Sequence, residues 1–415
     1  METEKVHPSH PGMNGMVSSN KISSRSISNK FCLKNGSEKD MVNQFASGIN
    51  NIQDNLSNDY KYYKKMNVYS PDGPIGNHNN GRIKESSMYI IKYPFLYYLF
   101  SFGASLGNET FYVLFFSFTL WNFDNYVIRR VLIVWAVIMY AGQAAKDIIR
   151  WPRPKSPPVI RLEDRYELEF GMPSTHAMVG VAIPFSMLIF MSGRYEFYYL
   201  IGVLVSVLWC VLVSISRLYL GMHSVLDVIA GLLFAFLLML LTVPFVEIVD
   251  KFILTYSFSL PIVVLICIVL CLLYPSQERW NTARGDTVLV LGVFSGIYAG
   301  LWLTVHLTEF TELPHFSPYA QSLLGQIVLV AIRQLVGVII IILFLTIIKL
   351  FLLNSLSWYF GFDPKNPVTK HYFAIELPYK YISYFISGAA ASYLVPLIYL
   401  KLNIARLNYY SEIFH

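Results

Sequence analysis

Charged residues are scarce in this chain of 415 residues. Asp, Glu, Lys and Arg make up 14% of it, whereas a soluble globular domain carries about 25%. Hydrophobic residues make up 55%. These proportions exclude a fold whose main solvent is water and indicate a protein that lies within a membrane.

Cysteine is also rare, with four residues in the chain. Three of them lie inside apolar runs, so no disulfide framework is expected. No spacing of His, Cys, Asp and Glu is typical of a metal site, and we expect no metal. The net charge of +6 comes from basic residues in a polar N-terminal stretch and in short loops, which favours membrane topology over a nucleic-acid partner.

Long apolar runs dominate the rest of the sequence. Each approaches or reaches the ~20 residues that a helix needs to cross ~30 Å of hydrocarbon. The sequence therefore predicts an all-α fold, a polytopic transmembrane helical bundle of about nine or ten membrane segments. The runs cover residues 131–145, 177–191, 200–215, 225–245, 258–274, 288–304, 335–353 and 381–400.

The first 121 residues are harder to divide. Residues 1–87 are rich in Asn, Ser, Gly and Lys and lack periodicity, which predicts a disordered polar tail without a signal peptide. Residues 88–121 are apolar but are interrupted by Pro94, Gly103 and Gly107. This region crosses the membrane once or twice, and two crossings would place the tail opposite the motifs described next.

A cationic cluster follows the apolar run that ends at residue 145. Lys146 and Arg150 are four residues apart and therefore share one face of a helix. Pro152 ends such a helix and turns Arg153 back toward the same place. This pattern is typical of an anion site, and interfacial anchoring of the separate side chains is the alternative interpretation.

A turn with the sequence Gly-Met-Pro-Ser-Thr-His opens the next apolar run, at residues 171–176. Ser174 or Thr175 can cap the helix that follows, and the free N–H groups of a helix start attract anions. His176 lies at the mouth of this site. An ordinary helix cap is the alternative interpretation.

A third cluster covers residues 216–227 and contains Arg217, His223 and Asp227. His223 and Asp227 are one helical turn apart, so the carboxylate can accept the Nδ1 proton and leave Nε2 as a basic lone pair. This arrangement suits a histidine that acts as a nucleophile. A structural His–Asp pair is the alternative interpretation.

Topology places the three clusters on one face of the membrane. The first two share a loop, and two apolar runs separate the second from the third, so the chain returns to the same face. Ionisable groups at membrane depth are costly and usually functional, which favours one shared site. Glu109 and Arg333 are further intramembrane charges, either paired within the bundle or near the path of a substrate.

In this order and spacing the clusters resemble the tripartite signature of the type 2 phosphatidic acid phosphatase (PAP2) superfamily. The sequence around them, with residues 102–109 and 376–382, is similar to the sphingosine-1-phosphate phosphatases in particular, and the resemblance covers about residues 93–400. Thr175 stands where much of the superfamily has glycine. The sphingosine-1-phosphate phosphatases share this threonine, so the resemblance narrows the expected substrate class to that of this branch.

The resemblance implies roles for the clustered residues. His223 would be the nucleophile of a metal-independent phosphatase that forms a phosphohistidine, Asp227 would orient it, and His176 would be the general acid. Arg150 has no role in the signature. The phosphate would be held by a set of five residues, namely Lys146, Arg153, Ser174, Thr175 and Arg217.

The resemblance also implies a substrate and a location. The substrate would be sphingosine 1-phosphate or a related sphingoid base phosphate, in the endoplasmic reticulum membrane with the site facing the lumen. A broader phosphatase for phosphatidic acid, lysophosphatidic acid or polyprenyl pyrophosphate is the alternative. A non-catalytic transporter or scaffold would have lost part of the signature, and none is missing. Residues 88–250 would form the catalytic core, and residues 251–415 would add transmembrane helices.

Overall fold

The fold is helical throughout the part of the chain that the structure describes. A computed structural model describes residues 91–415, apart from residues 157, 164–165, 167, 197, 276–279, 308–321, 407 and 415. No strand is formed among these residues. The predicted all-α class is therefore confirmed, and the predicted polar tail of residues 1–87 lies outside the described residues.

Two short helices begin the described chain. α1 covers Pro94–Ser105 and α2 covers Glu109–Phe118, and a π-helical turn, Thr119–Phe123, continues α2. At 12 and 10 residues, neither α1 nor α2 alone has the ~20 residues of a full crossing. The break between them lies at residues 106–108, within the region that the sequence predicts to be interrupted.

Four helices carry the three sequence clusters at their ends. They are α3 (Asn125–Ile149), α4 (Thr175–Met191), α5 (Tyr199–Tyr219) and α6 (Val225–Thr255). Most side chains of α3 are buried, and they lie on all faces of the helix rather than along one apolar stripe. This helix therefore lies at the centre of the bundle. The clusters therefore lie around one end of this central helix.

The remaining helices pack against this group. α8 and α10 approach each other closely because Gly292, Gly296 and Gly300 are spaced four residues apart on α8: a Cβ added to Gly296 would lie 2.1 Å from the carbonyl oxygen of Phe385. The elements are α7 (Ser259–Leu272), α8 (Thr282–Leu307), α9 (Leu323–Phe360), a 3₁₀ turn (Pro367–His371), α10 (Phe373–Ala389), a π-helical turn (Ala390–Leu394), α11 (Val395–Lys401) and α12 (Ser411–Phe414).

Among the described residues, six helical spans are long and apolar enough to cross a membrane. They are α3, α5, α6, α8, α9 and the continuous stretch from α10 to α11. α4 and α7 are apolar but shorter, and α1 and α2 are shorter still. The protein is thus a multi-pass membrane protein, with fewer full-length helices than the nine or ten apolar segments that the sequence predicts.

A buried ionic cluster joins the helices at the end of the bundle remote from Lys146. Asp250 is 1% exposed; its carboxylate accepts hydrogen bonds from Arg129 Nε at 2.9 Å and from the Tyr298 hydroxyl at 2.9 Å. Arg129 also donates to the carbonyl oxygen of Glu412 at 2.7 Å. Because these residues come from α3, α6, α8 and α12, the cluster fixes the far end of the bundle and leaves the other end for the candidate site.

Candidate active site

The three clusters meet at one end of the bundle. Lys146 Nζ lies 3.3 Å from Thr175 Oγ1, and Arg153 NH1 lies 3.1 Å from His223 Nε2. The Ser174 N–H donates to the carbonyl oxygen of Asp227 at 3.1 Å. Each cluster thus contacts the other two, as the membrane topology predicts.

Glu169 organises the cations, and the sequence motifs did not reveal it. Its carboxylate accepts a hydrogen bond from Lys146 Nζ at 2.8 Å, and its carbonyl oxygen accepts one from Arg153 Nε at 2.8 Å. The hydroxyl of Thr282, at the start of α8, donates to the same carboxylate. Burial alone would raise the pKa of Glu169, but the ammonium group of Lys146 and the other donors outweigh burial and hold the pKa below its ordinary value.

Arg153 and Arg217 supply further positive charge. Burial lowers the pKa of Arg153 to about 10, so the guanidinium remains charged at pH 7. Arg217 is fully buried and pairs through NH1 with Glu163 at 2.8 Å, whereas its Nε and NH2 have no hydrogen-bond partner. The buried Ser174 hydroxyl also has none and does not cap its own helix. Buried donors without partners are rare, and these suit an oxyanion such as phosphate.

His223 lies in the loop before α6 with its Nε2 atom beside Arg153. A guanidinium can only donate, so the 3.1 Å contact is a hydrogen bond only when Nε2 carries the lone pair and Nδ1 carries the proton. Burial lowers the pKa of His223 well below its ordinary value, and the charges of Arg153, Arg217 and Lys146 lower it further. The ring is therefore neutral, with the lone pair on the atom predicted to attack.

The expected bond between Asp227 and His223 is not formed in this structure. His223 Nδ1 lies 3.8 Å from Asp227 Oδ2, which is too long for a hydrogen bond. Asp227 is the third residue of α6 and its Oδ2 accepts from the Ser224 N–H at 2.7 Å, as half of a capping box. The one-turn spacing brings the two residues together. At the helix start, however, Asp227 Oδ2 is bonded to the Ser224 N–H and not to the imidazole of His223.

Arg150 does not join the site, contrary to the suggestion that it shares a helical face with Lys146. It ends α3 in the left-handed conformation, with φ of 55°, and its side chain is exposed. Its Nε donates to the carbonyl oxygen of Asp147 at 3.3 Å. The helix ends one residue before Arg150, so the four-residue spacing no longer places this side chain above Lys146.

His176, on the first turn of α4, is held by residues that precede α2. Its Nε2 lies 3.3 Å from Asn108 Oδ1, which also accepts a hydrogen bond from the Tyr166 hydroxyl at 3.2 Å. A Cβ added to Gly107 would lie 2.2 Å from the His176 ring, so only glycine fits there. The interruption at Gly107 and Asn108 was the available sequence signal for this contact, but their role could not be predicted without the fold.

A cavity of about 440 Å³ opens from this cluster into the bundle. Lys146, Arg153, His176 and His223 line one end of it. Its other walls are mostly apolar and come from α2, α3, α8, α9 and α10, including residues Val113, Leu120, Trp135, Met139, Leu289, Val293, Val338, Ile341, Ile342 and Leu345. A polar end joined to an apolar chamber suits a lipid with a phosphate headgroup.

Glu109 and Arg333, the two unassigned intramembrane charges, have different surroundings. Glu109 lines the cavity and accepts a hydrogen bond from the Tyr384 hydroxyl. Arg333 is buried on α9, away from the residues that line the cavity, and its NH1 donates to the carbonyl oxygen of Trp121 at 3.3 Å. Arg333 thus has a structural partner, whereas Glu109 lines the cavity.

Comparison with known proteins agrees with this geometry. The profile of the PAP2 superfamily matches residues 127–250, which run from α3 into α6. The chain is 37% identical over 342 residues to sphingosine-1-phosphate phosphatase 1 of Rattus norvegicus, a match that covers 79% of each chain. It is 38% identical over 320 residues to sphingosine-1-phosphate phosphatase 2 of Homo sapiens, covering 75% of this chain and 79% of that protein.

The chain belongs to the PAP2 superfamily, in the sphingosine-1-phosphate phosphatase family. A more distant PAP2 relative is the dihydrosphingosine 1-phosphate phosphatase C823.11 of Schizosaccharomyces pombe, 27% identical over 218 residues and covering 50% of this chain and 53% of that protein. No solved structure matches the chain. Membership of this PAP2 family makes the protein a lipid phosphate phosphatase and therefore a hydrolase.

The neutral state of His223 predicts how stability depends on pH. Its pKa is low in the folded protein and about 6.5 in an unfolded chain, so below about pH 6.5 only the unfolded chain takes up the proton. The free energy of unfolding should therefore fall as pH falls through this range. We expect the Tm of the protein in detergent to drop more between pH 7 and pH 5 than the Tm of the His223→Gln variant, and equal drops would contradict the assignment.

Proposed function

We propose that this protein hydrolyses sphingosine 1-phosphate and related sphingoid base phosphates through a phosphohistidine intermediate. The observation that carries the proposal is the juxtaposition of a neutral His223, buried cations and a long apolar cavity. The names of the relatives support the sphingoid substrate. A broader lipid phosphatase remains the alternative, because the same cluster could bind the phosphate of phosphatidic or lysophosphatidic acid.

In this proposal five side chains hold the phosphate. Arg153 NH1 lies beside the attacking nitrogen, so it contacts the oxygens of any phosphorus that His223 attacks. Positive charge that is fixed in place before the reaction stabilises the developing charge on those oxygens, the function that Mg²⁺ performs in many phosphoryl-transfer enzymes. The set consists of Lys146, Arg153, Ser174, Thr175 and Arg217.

The first step transfers the phosphoryl group to His223. Its Nε2 lone pair forms a bond to phosphorus as the bond to the ester oxygen breaks. Burial, followed by the nearby cations, lowers the pKa of His176 before the phosphate binds. Once the bound phosphate offsets those cations, His176 takes up a proton and gives it to the departing alkoxide, which leaves as a free alcohol. Asn108 fixes the orientation of the His176 ring by its contact with Nε2. Asp227 balances the positive charge that develops on the His223 ring.

The second step hydrolyses the phosphohistidine. His176, now neutral, takes a proton from a water molecule whose oxygen attacks phosphorus, and the bond between phosphorus and His223 Nε2 breaks. Inorganic phosphate leaves, and both histidines return to their starting states. The same imidazole thus serves as acid and then as base, and no metal ion is required.

The cavity favours a lipid with one alkyl chain. Its volume of about 440 Å³ lies toward the lower end of the range of ~300–1,000 Å³ for small-molecule sites. The apolar wall contains residues of α8, α9 and α10, which lie beyond the PAP2 match. The division into a catalytic core of residues 88–250 and additional helices at residues 251–415 stays a prediction. In this proposal α8, α9 and α10 bind the alkyl chain of the substrate.

We further propose that the protein lies in the endoplasmic reticulum with this site facing the lumen, as the family resemblance implies. An acceptor sequence for N-glycosylation introduced between Trp151 and Arg161 should then be modified in cells. The matched control is an acceptor at residues 192–196, where Arg194 pairs with Asp124 at the opposite end of α3. Modification of the control alone would place the active site on the cytosolic side.

The nucleophile is tested with the His223→Ala variant. Removal of the attacking group should lower kcat for sphingosine 1-phosphate by at least about 1,000-fold and abolish the labelled phosphoenzyme seen after quenching in alkaline detergent, in which phosphohistidine is stable. The matched control is His306→Ala on α8, whose Nδ1 contacts the carbonyl oxygen of Trp302 outside the site. A phosphoenzyme trapped in His223→Ala would exclude His223. Wild-type activity should persist with a chelator present.

The acid is tested by changing the leaving group. Removal of His176 should lower kcat for an alkyl phosphate by about 100- to 10,000-fold, because an alkoxide needs a proton to leave. An aryl phosphate should be affected less, because a phenolate leaves without a proton. The Asn108→Ala variant should also lower the rate with the alkyl phosphate more than the rate with the aryl phosphate, but by a smaller factor than His176→Ala does. Equal losses on both substrates for His176→Ala would show that His176 is not the acid.

A further inference from the structure

The cavity reaches the outer surface of the bundle at the seam between α2 and α9. Most of the described residues that line it are buried or half-buried, and none of those from α3, α8 and α10 is exposed. The exposed lining residues are Thr110 and Leu114 on α2 and Ile342 on α9. Leu114 is 45% exposed and Ile342 is 53% exposed. These three residues mark a gap in the wall of the cavity, which we call the lateral opening.

The lateral opening faces hydrocarbon rather than water. α9 is 38 residues long, and its apolar part has a mean hydropathy of 3.1, with 11% of the residues buried. On both sides of Ile342 along the chain, Ile339 and Leu343 are also exposed. A helix that is apolar on all faces and is not packed inside a protein lies in a membrane, where its exposed side chains contact lipid. A lipid can therefore reach the opening from within the bilayer.

Polar contacts and close packing shut the seam on the side remote from the phosphate cluster. Gln334 on α9 donates through Nε2 to Ser117 Oγ at 3.1 Å, and its Oε1 accepts from Asn122 Nδ2 at 3.4 Å. One turn further along α9, a Cβ added to Gly337 would lie 2.3 Å from the ring of Trp121. α9 is thus held against α2 and the π-helical turn that continues it, and the opening does not extend to this level.

A hydrogen-bonded chain closes the seam again beside the phosphate cluster. Lys349 Nζ on α9 donates to the Tyr384 hydroxyl at 2.9 Å, and this hydroxyl donates to Glu109 at the start of α2. Asn108, the residue before Glu109, contacts His176. The chain therefore lies at the level of the phosphate site. The lateral opening is a window between this closure and the one at Gln334.

The reacting groups are buried, so a substrate needs a path to them. Lys146, His176 and His223 are 1%, 7% and 4% exposed. The lateral opening provides a short path, because Thr110 follows by two residues the Asn108 that contacts His176. A lipid that enters here keeps its alkyl chain among apolar groups. Entry from water would instead expose each CH2 group of the chain, which is unfavourable.

We propose that the lateral opening between α2 and α9 is the entrance through which a lipid phosphate passes from the bilayer into the active site. The proposal rests on the proposed function. The headgroup passes between Leu114 and Ile342 toward His176, and the alkyl chain follows into the cavity. α2 precedes the PAP2 match and α9 follows it, so this entrance is built by helices outside the matched region.

The first test narrows the opening. Leu114→Trp and Ile342→Trp each place a large indole ring in it, so kcat/KM for sphingosine 1-phosphate, which includes the entry step, should fall at least about 10-fold. The matched control is Leu343→Trp, at the next residue of α9, which is exposed but does not line the cavity. It should keep the wild-type value. If folded Leu114→Trp and Ile342→Trp both keep it as well, the lipid enters elsewhere.

The second test closes the opening reversibly, so that each protein sample serves as its own reference for folding. A bulky methanethiosulfonate reagent is attached to the Leu114→Cys or Ile342→Cys variant, and complete attachment is verified by mass spectrometry. Activity should fall at least about 10-fold and return when a reductant removes the group. The Leu343→Cys variant, treated in the same way, controls for the four native cysteines and should stay active.

The entrance and the proposed function fail in different ways. Full activity in both modified variants, or an equal loss in the modified Leu343→Cys variant, would overturn the entrance and leave the function in place. Wild-type protein that releases no phosphate from sphingosine 1-phosphate would instead overturn the proposed function.

Discussion

The ion pair between Lys146 and Glu169 is the interaction on which the rest of the site depends. A phosphate site at the edge of a membrane needs cations, and removing each cation from water costs several kcal/mol unless a counter-charge lies close by. Glu169 supplies that charge to Lys146 and Arg153, and Glu163 supplies it to Arg217. Each carboxylate holds its cation in place before a phosphate arrives. The lipid phosphate therefore meets a site that is already ordered, which lowers the reorganisation required during the reaction.

This ion pair also explains why the active site is not confined to the helices that carry the motifs. Glu169 accepts a hydrogen bond from Thr282 at the start of α8, and Asp147 accepts one from Asn281 at 3.0 Å. The first turn of α8 thus supports the acidic groups next to Lys146. The same helix continues past Asp286 into the apolar wall of the cavity. One helix therefore connects the residues that position the cations to the apolar wall of the cavity.

The sequence could predict the parts of the site whose geometry is local or topological. Lys146, His176 and His223 are brought together because an even number of crossings returns the chain to one face, and that argument needs only the apolar runs. Glu169 could not be predicted, since an acidic residue in a polar loop has no periodicity and its partners lie 23 and 113 residues away. Helix ends explain where the geometry differs from the expected spacing: α3 ends before Arg150, and at the start of α6 Asp227 Oδ2 accepts a hydrogen bond from the Ser224 N–H. Spacing predicts side-chain neighbours only within a helix whose ends are known.

The 3.8 Å gap between His223 and Asp227 fits a nucleophile at rest. A neutral imidazole surrounded by cations needs no strong bond to a carboxylate, and such a bond would favour protonation of the nitrogen that must attack. In the proposed mechanism this balance changes when the lipid phosphate neutralises the cations and the imidazole of His223 gains positive charge as the bond to phosphorus forms. Asp227 Oδ1 has no hydrogen-bond partner, so it is available to accept the Nδ1 proton at that stage. The helix start that holds Oδ2 keeps this carboxylate close to the ring, and its contact with the ring becomes most favourable when the positive charge develops.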